Sequence, residues 1–153
     1  MMKDPANTFI RLQFRLHAGS AVAAILLLTA CSSSPVKPQV PDVLPECGWL
    51  PNCINTQSGQ GIQASEPIRA NGEQWLKLKA WIARQEDWEV TVNDSNFLHA
   101  VVKTPALGFR DDVQLLFLPD AQLIHVRSSS RVGLSDLGTN ARRVKALRDQ
   151  VMP

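Results

Sequence analysis

Apolar residues fall along this chain first in one unbroken run and then in runs with a period. Residues 18–30 carry no charge and include the string AVAAILLLTA. Further on, Trp75, Leu78, Trp81 and Ile82 recur at helical spacing while Lys77, Lys79 and Arg84 fall on other faces, which predicts an amphipathic helix over residues 72–85. Asn71 and Gln74 precede it at the spacing of a capping box. Four extended segments follow, at 88–92, 96–104, 112–118 and 122–128, each alternating or rich in β-branched and apolar residues. Asn93-Asp94 and Pro119-Asp120 mark turns between them. Short turns imply antiparallel neighbours, and the longer connection at 105–110 is expected to leave the sheet before returning. After a polar loop, Ala141, Val144, Leu147 and Val151 return to helical spacing behind a Thr139-Asn140 cap, with Lys145 and Arg148 towards the helix C-terminus, where the dipole favours positive charge. The expected fold class is α+β, a small antiparallel sheet of about four strands covered by two helices.

Alternation also assigns faces. His99, Val101 and Lys103 share one side of their strand, and Leu123, His125 and Arg127 share one side of theirs, so the two histidines can lie on the same face. A metal or general-base role would need a third ligand or a nucleophile beside them, and the sequence specifies none. Half-exposed structural histidines are therefore the expectation, and Trp75 and Trp81 are expected in the core rather than on a ligand platform.

Only the opening run changes the picture from a plain soluble domain. Lys3, Arg11 and Arg15 precede the charge-free run, and small residues lead to a cysteine, the layout of a secretory signal. Its apolar heart spans ten residues, about half of what a helix needs to cross the hydrocarbon. Leu28-Thr29-Ala30-Cys31 resembles the bacterial lipobox, which implies lipidation of Cys31 and cleavage before it. Residues 1–30 then form a signal peptide, residues 31–46 a lipid-anchored Pro/Ser linker and residues 47–153 the domain. Residue 32 is Ser and not Asp, which by resemblance to enterobacterial sorting favours the outer membrane, facing the periplasm. The stretch at 32–45 holds four prolines and three serines and reads as an extended stalk.

The whole chain has 16 basic and 14 acidic residues, but the signal contains Lys3, Arg11, Arg15 and Asp4, so the remainder carries thirteen of each sign. That balance argues against nucleic-acid binding. The expected partners are the membrane, through the lipid, and an anionic envelope component or envelope protein. With Cys31 acylated, Cys47 and Cys53 remain, six residues apart in an oxidising compartment. They are expected to form a structural disulfide. Their spacing is not the C-x-x-C of redox catalysts, and two cysteines without a nearby His do not make a zinc site.

The densest chemistry lies between Phe109 and Arg143. Asp111, Asp112 and Asp136 stand there with Arg127, Arg131 and Arg143, two glycines and several hydroxyls. Such groups are costly to bury unless paired, so they should find each other. The strings PNCINTQ, FRDD and IHVRSSSRVGLSDLGTNARRV resemble the signatures of the family known as domain of unknown function 1499, over most of residues 47–150. The resemblance falls on Asn52, Cys53, Asp111, Asp112, Arg127, Ser128, Ser130, Arg131, Gly133, Asp136, Gly138, Asn140 and Arg143. It implies a fold and an envelope location, and no established reaction.

Three roles are open to this constellation. It can be an ion-pair and hydrogen-bond lattice pinning the 129–140 loop to the sheet, with Gly133 and Gly138 in positive-φ turns. It can be a binding site, Arg127 and Arg131 with the Ser128 and Ser130 hydroxyls and the N–H groups opening the last helix suiting a phosphate, carboxylate or lipid headgroup. Or it can be a hydrolase-like site, in which Asp111 or Asp112, its pKa raised by its neighbour, serves as acid/base while the arginines hold an anionic substrate. Gly133-Leu134-Ser135-Asp136-Leu137-Gly138 is one residue too long for a nucleophile elbow, and neither a Walker loop, G-x-G-x-x-G nor H-E-x-x-H occurs. The expectation is a non-catalytic binding or structural module needing no cofactor and no metal.

Overall fold

The computed structural model describes residues 42–104 and 108–152. The signal segment, Cys31 and most of the stalk lie outside the described residues, as do residues 105–107 of the long connection. The first helix, α1 (Gly72–Ile82), begins where its sequence said it would. Asn71 accepts a hydrogen bond from the Gln74 N–H, and the Gln74 side chain accepts one from the Asn71 N–H, both at 2.9 Å. The helix ends three residues before the expected limit, in a tight last turn at Ala83 and Arg84. Trp75, Leu78 and Ile82 form its buried stripe. Trp75 stacks on Phe117 with centroids 5.7 Å apart and donates its indole N–H to the Ser95 carbonyl at 2.7 Å, so its polar atom is satisfied within the core.

The sheet has six strands, not about four. They are β1 (Cys53–Asn55), β2 (Ile68–Arg69), β3 (Trp88–Asn93), β4 (Phe97–Lys103), β5 (Arg110–Leu118) and β6 (Leu123–Ser130). Their order is β1-β6-β5-β4-β3, and β2 also pairs with β6, so β1 and β2 share the outer edge of β6; all these pairings are antiparallel. The sequence missed β1 and β2 because two or three residues cannot display alternation. They are strands only because β6 presents an unpaired row of donors and acceptors. Both β5 and β6 are also longer than expected, which brings Arg110, Asp111, Ser129 and Ser130 into the ladder.

The second helix, α2 (Thr139–Val151), lies with α1 against one face of the sheet. Between them sits the main core, including Leu98, Ala100 and Val102 from β4, Val113, Leu115 and Phe117 from β5, and Ile124 and Val126 from β6. The other face carries a small apolar cluster of Phe97, Leu116 and Leu44. Leu44 belongs to the stretch read as stalk, yet it is 1% exposed. The Gln57 side chain fixes that segment, accepting from the Leu44 N–H and donating to the Asp42 carbonyl, each at 2.8 Å.

Leu44→Ala is expected to lower stability by about 2 to 5 kcal/mol, the usual result of emptying a buried leucine site. Urea unfolding of the purified protein measures it, and an unchanged midpoint would show that residue 44 is not part of the folded unit.

Candidate functional site

Asp111 and Asp112 are neighbours in β5, so their side chains project from opposite faces of the sheet. That alternation divides the whole constellation in two. On the helix-covered face, Asp111, 1% exposed, accepts from Arg143 at 2.8 Å. A second Arg143 nitrogen reaches Ser128 Oγ at 2.8 Å and Asn140 Oδ1 at 2.7 Å. Ser128 Oγ donates to the same Asn140 oxygen at 2.7 Å, while the Asn140 amide donates to the Asn52 carbonyl at 2.8 Å and to Ser130 Oγ at 3.3 Å. Asn52 in turn donates to the Gly133 carbonyl at 2.8 Å. These bonds join Asn52, the residue leading into β1, with β5, β6, α2 and the 131–138 loop in one lattice.

The start of α2 differs from expectation. Its cap residue is Gly138, left-handed at φ 79, and the capping oxygens come from Asp136, which accepts from the Gly138 and Asn140 N–H groups at 3.0 and 2.8 Å. Asn140 is turned inward rather than capping. Gly133, at φ 96, provides the other left-handed turn, so both glycines occupy the conformation for which they were singled out. With Asp136 in place, the Gly138, Thr139 and Asn140 N–H groups at this helix start are engaged.

On the other face, Asp112 is held by Arg131 in a bidentate pair, Nε to Oδ2 at 3.0 Å and Nη2 to Oδ1 at 2.8 Å. His99 Nε2 approaches Asp112 Oδ1 at 2.9 Å, and the other ring nitrogen of His99 meets the Thr91 hydroxyl, which sits at a β-bulge between Val90 and Val92. His99 is therefore buried and engaged on both nitrogens, not half-exposed. Burial alone would push the Asp112 carboxyl up, but the His99 and Arg131 hydrogen bonds outweigh it and hold the carboxyl below its usual range. The Arg131 guanidinium is raised by the same bond.

Arg127 lies on this face, opposite Gln114 in the register, and makes a long contact to its side-chain oxygen at 3.5 Å. Its Nε is buried with no hydrogen-bond partner among the described residues. Burial lowers its pKa, partly countered by the charge of Asp112. His125 shares the face, half-buried, with Nδ1 3.4 Å from the Thr56 hydroxyl. Among the described residues no group of three His, Cys, Asp or Glu is placed to hold a metal ion.

Cys47 and Cys53 are disulfide-bonded, with Cα atoms 5.8 Å apart, closing a short loop whose bridge is worth roughly 2 to 2.5 kcal/mol in the chain-entropy account. Residues 43–151 match the family described as protein of unknown function (DUF1499). The chain belongs to that family. No curated protein matches it. Within this DUF1499 domain, the residues that the resemblance singled out divide between the lattice with its loop and helix cap, the Asp112–Arg131 pair and Arg127 on the opposite face, and Cys53 of the disulfide.

What the sequence did not reveal is an open cleft of about 350 Å3 beside the lattice. Thr104, Asp111, Ser130, Ser135, Asp136 and Thr139 form its polar part, Phe109, Val132 and Leu137 its apolar walls, and Arg142 is the one basic residue in its lining. A second hollow of about 220 Å3, between Pro51, Ile62 and Gly138, lies across the 133–138 loop. The arginine of this cleft is Arg142, an exposed residue whose described bonds run to neutral oxygens, the Leu137 carbonyl and Thr139 Oγ1. The resemblance singled out Arg143, which the helix turns inward to Asp111, and passed over Arg142, which it turns out to the cleft.

Arg143→Met is expected to cost about 3 to 5 kcal/mol, because it strands the buried Asp111 charge, while Arg127→Met leaves the unfolding midpoint unchanged or raises it. Equal losses in urea titrations of the two variants would refute the division. Acidification is expected to destabilise the domain in two steps. Burial holds folded His125 below its ordinary 6.5, so below that pH the unfolded chain takes up a proton first and stability falls. Asp112 is held below 3.8, so its contribution is lost in turn as the pH falls beneath that value. His125→Gln should remove the upper step from a plot of unfolding free energy against pH and leave the lower one.

Proposed function

We propose that this chain is a lipid-anchored module of the bacterial envelope, held at the outer membrane and facing the periplasm, and that it works by binding rather than by catalysis. The anchoring is read from the lipobox-like Leu28-Thr29-Ala30-Cys31 behind a basic and then apolar leader. The binding reading rests on one contrast. Arg131 and Arg143 are occupied by Asp112 and Asp111, whereas the cleft next to them is open and walled by Phe109, Val132 and Leu137.

This contrast moves the candidate binding surface from Arg127 and Arg131 to the cleft. A ligand that fits it has an apolar body against those walls and an anionic group directed to Arg142. The carboxylates give the hydrolase reading little support. Asp111 and Asp112 face opposite sides of the sheet, each bound to its own arginine, and Asp112 is held ionised rather than raised by its neighbour. The lattice then serves as the rigid frame that keeps the cleft walls in place.

Two measurements test this reading. Metabolic labelling with a palmitate analogue is expected to mark the chain and to be abolished by Cys31→Ser; label kept by that variant would remove the anchor. A photoactivatable fatty acid, irradiated with the full chain in its native membrane, is expected to crosslink within residues 130–142. Leu137→Asp should abolish that crosslink without lowering thermal stability, since the Leu137 side chain is outside the core. Crosslinks scattered over the chain, or untouched by Leu137→Asp, would overturn the cleft as the binding site.

A further inference from the structure

Large apolar side chains are exposed at one end of the domain. Trp49 is 89% exposed, Leu137 85%, Ile62 78% and Leu134 75%. Hydrogen bonds bring their loops together. The Gln63 amide donates to the Gly48 and Leu50 carbonyls, both at 2.8 Å, which sets Ile62 beside the disulfide-closed Trp49 loop. Asn52 then ties that loop to Gly133, next to Leu134. Leu76 on α1 is exposed singly, whereas hydrophobic side chains carried on loops tied together in this way are the kind that mark an interaction site.

Leu137 carries the argument further. Its φ is 51, in the left-handed region, and it is not a glycine. A leucine there is strained, and neither the turn nor the core gains from its side chain; Asn or Gly would make the same turn more easily. Strain retained with an apolar group pointing into solvent indicates that the group is used outside the fold.

We infer that this end of the domain lies on the surface of the membrane that holds Cys31. The occupant is chosen on three grounds. Ten residues separate Cys31 from Asp42, a length that extends to at most about 40 Å, so the lipid keeps the domain within one molecular diameter of the bilayer. Trp is the side chain best suited to the interface, with an apolar body and a polar N–H, and Trp49 is the exposed one, the other three being buried or half-buried. Arg142 sits beside Leu137, where an anionic headgroup would find its guanidinium. The disulfide and the lattice hold these loops rigid, so ordering them at the surface loses little entropy. In this orientation the cleft opens towards the headgroup layer, and its ligand is a membrane lipid. The inference rests on the anchoring proposed above.

The test reconstitutes the purified full-length mature protein in vesicles of phosphatidylethanolamine and phosphatidylglycerol whose acyl chains are brominated near the headgroup. Wild-type protein is expected to lose part of its Trp emission to the bromines. Trp49→Phe should remove that loss, and the double variant Leu134→Asp, Leu137→Asp should reduce it while the protein stays vesicle-bound through its lipid. Mass analysis of the N-terminal peptide reads the acylation separately. An unacylated chain overturns the anchoring reading, and this inference with it. An acylated, vesicle-bound protein whose emission is unquenched, or equally quenched in Trp49→Phe, overturns the docking face alone. Self-association through Trp49, seen as a dimer that Trp49→Phe abolishes, would overturn it in favour of a second copy.

Discussion

A carboxylate buried beneath a helix is tolerated only if a cation and several hydrogen bonds go in with it, and at Asp111 that cation is Arg143. The guanidinium belongs to α2, the carboxylate to β5, and the shared oxygens to Ser128 and Asn140. Because the pair must form for the charge to be tolerated, it fixes how α2 lies on the sheet, which end of the helix reaches the 131–138 loop, and which arginine of the Arg142-Arg143 pair is left outside. The loop with its exposed leucines and the cleft beside it are consequences of that placement.

The second constraint is the pleat. Two adjacent aspartates in a strand cannot cooperate, since each belongs to a different face, and here each face supplies its own arginine. The result is one lattice on the helix side and a Thr91, His99, Asp112 and Arg131 chain on the other, both braced by β5. Arg127 is the member left poorly served, its Nε buried without a partner among the described residues. A buried donor left so costs stability rather than adding to it.

Much of the fold was legible in the sequence, and the reason is length. α1, β3 to β6 and α2 run long enough to display a period, and Asn71 with Gln74 is a purely local signal. Gly133 and Gly138 were readable as left-handed turns because the constraint acts on the residue's own backbone. The short edge strands escaped for the opposite reason, and so did the packing of Leu44, a single apolar residue in a proline-rich stretch that is buried only because Phe97 and Leu116 leave room for it. The composition of the candidate site was visible as well, down to the statement that its charges would find each other. Its partition was not, since that needed the true start of β5 at Arg110, two residues earlier than alternation alone indicated.

The sequence by itself determined the α+β class, the family, the disulfide pair and the set of polar residues that must be mutually satisfied, because these follow from local periodicity, backbone preference and the cost of burying charge. Tertiary structure decided which carboxylate meets which arginine, that Asp136 rather than Thr139 or Asn140 caps α2, and that Leu134, Leu137, Ile62 and Trp49 are left exposed. Those outcomes depend on side chains far apart in the chain and on which face of a strand or helix each one occupies. Such geometry is set only when the sheet and helices pack as a whole.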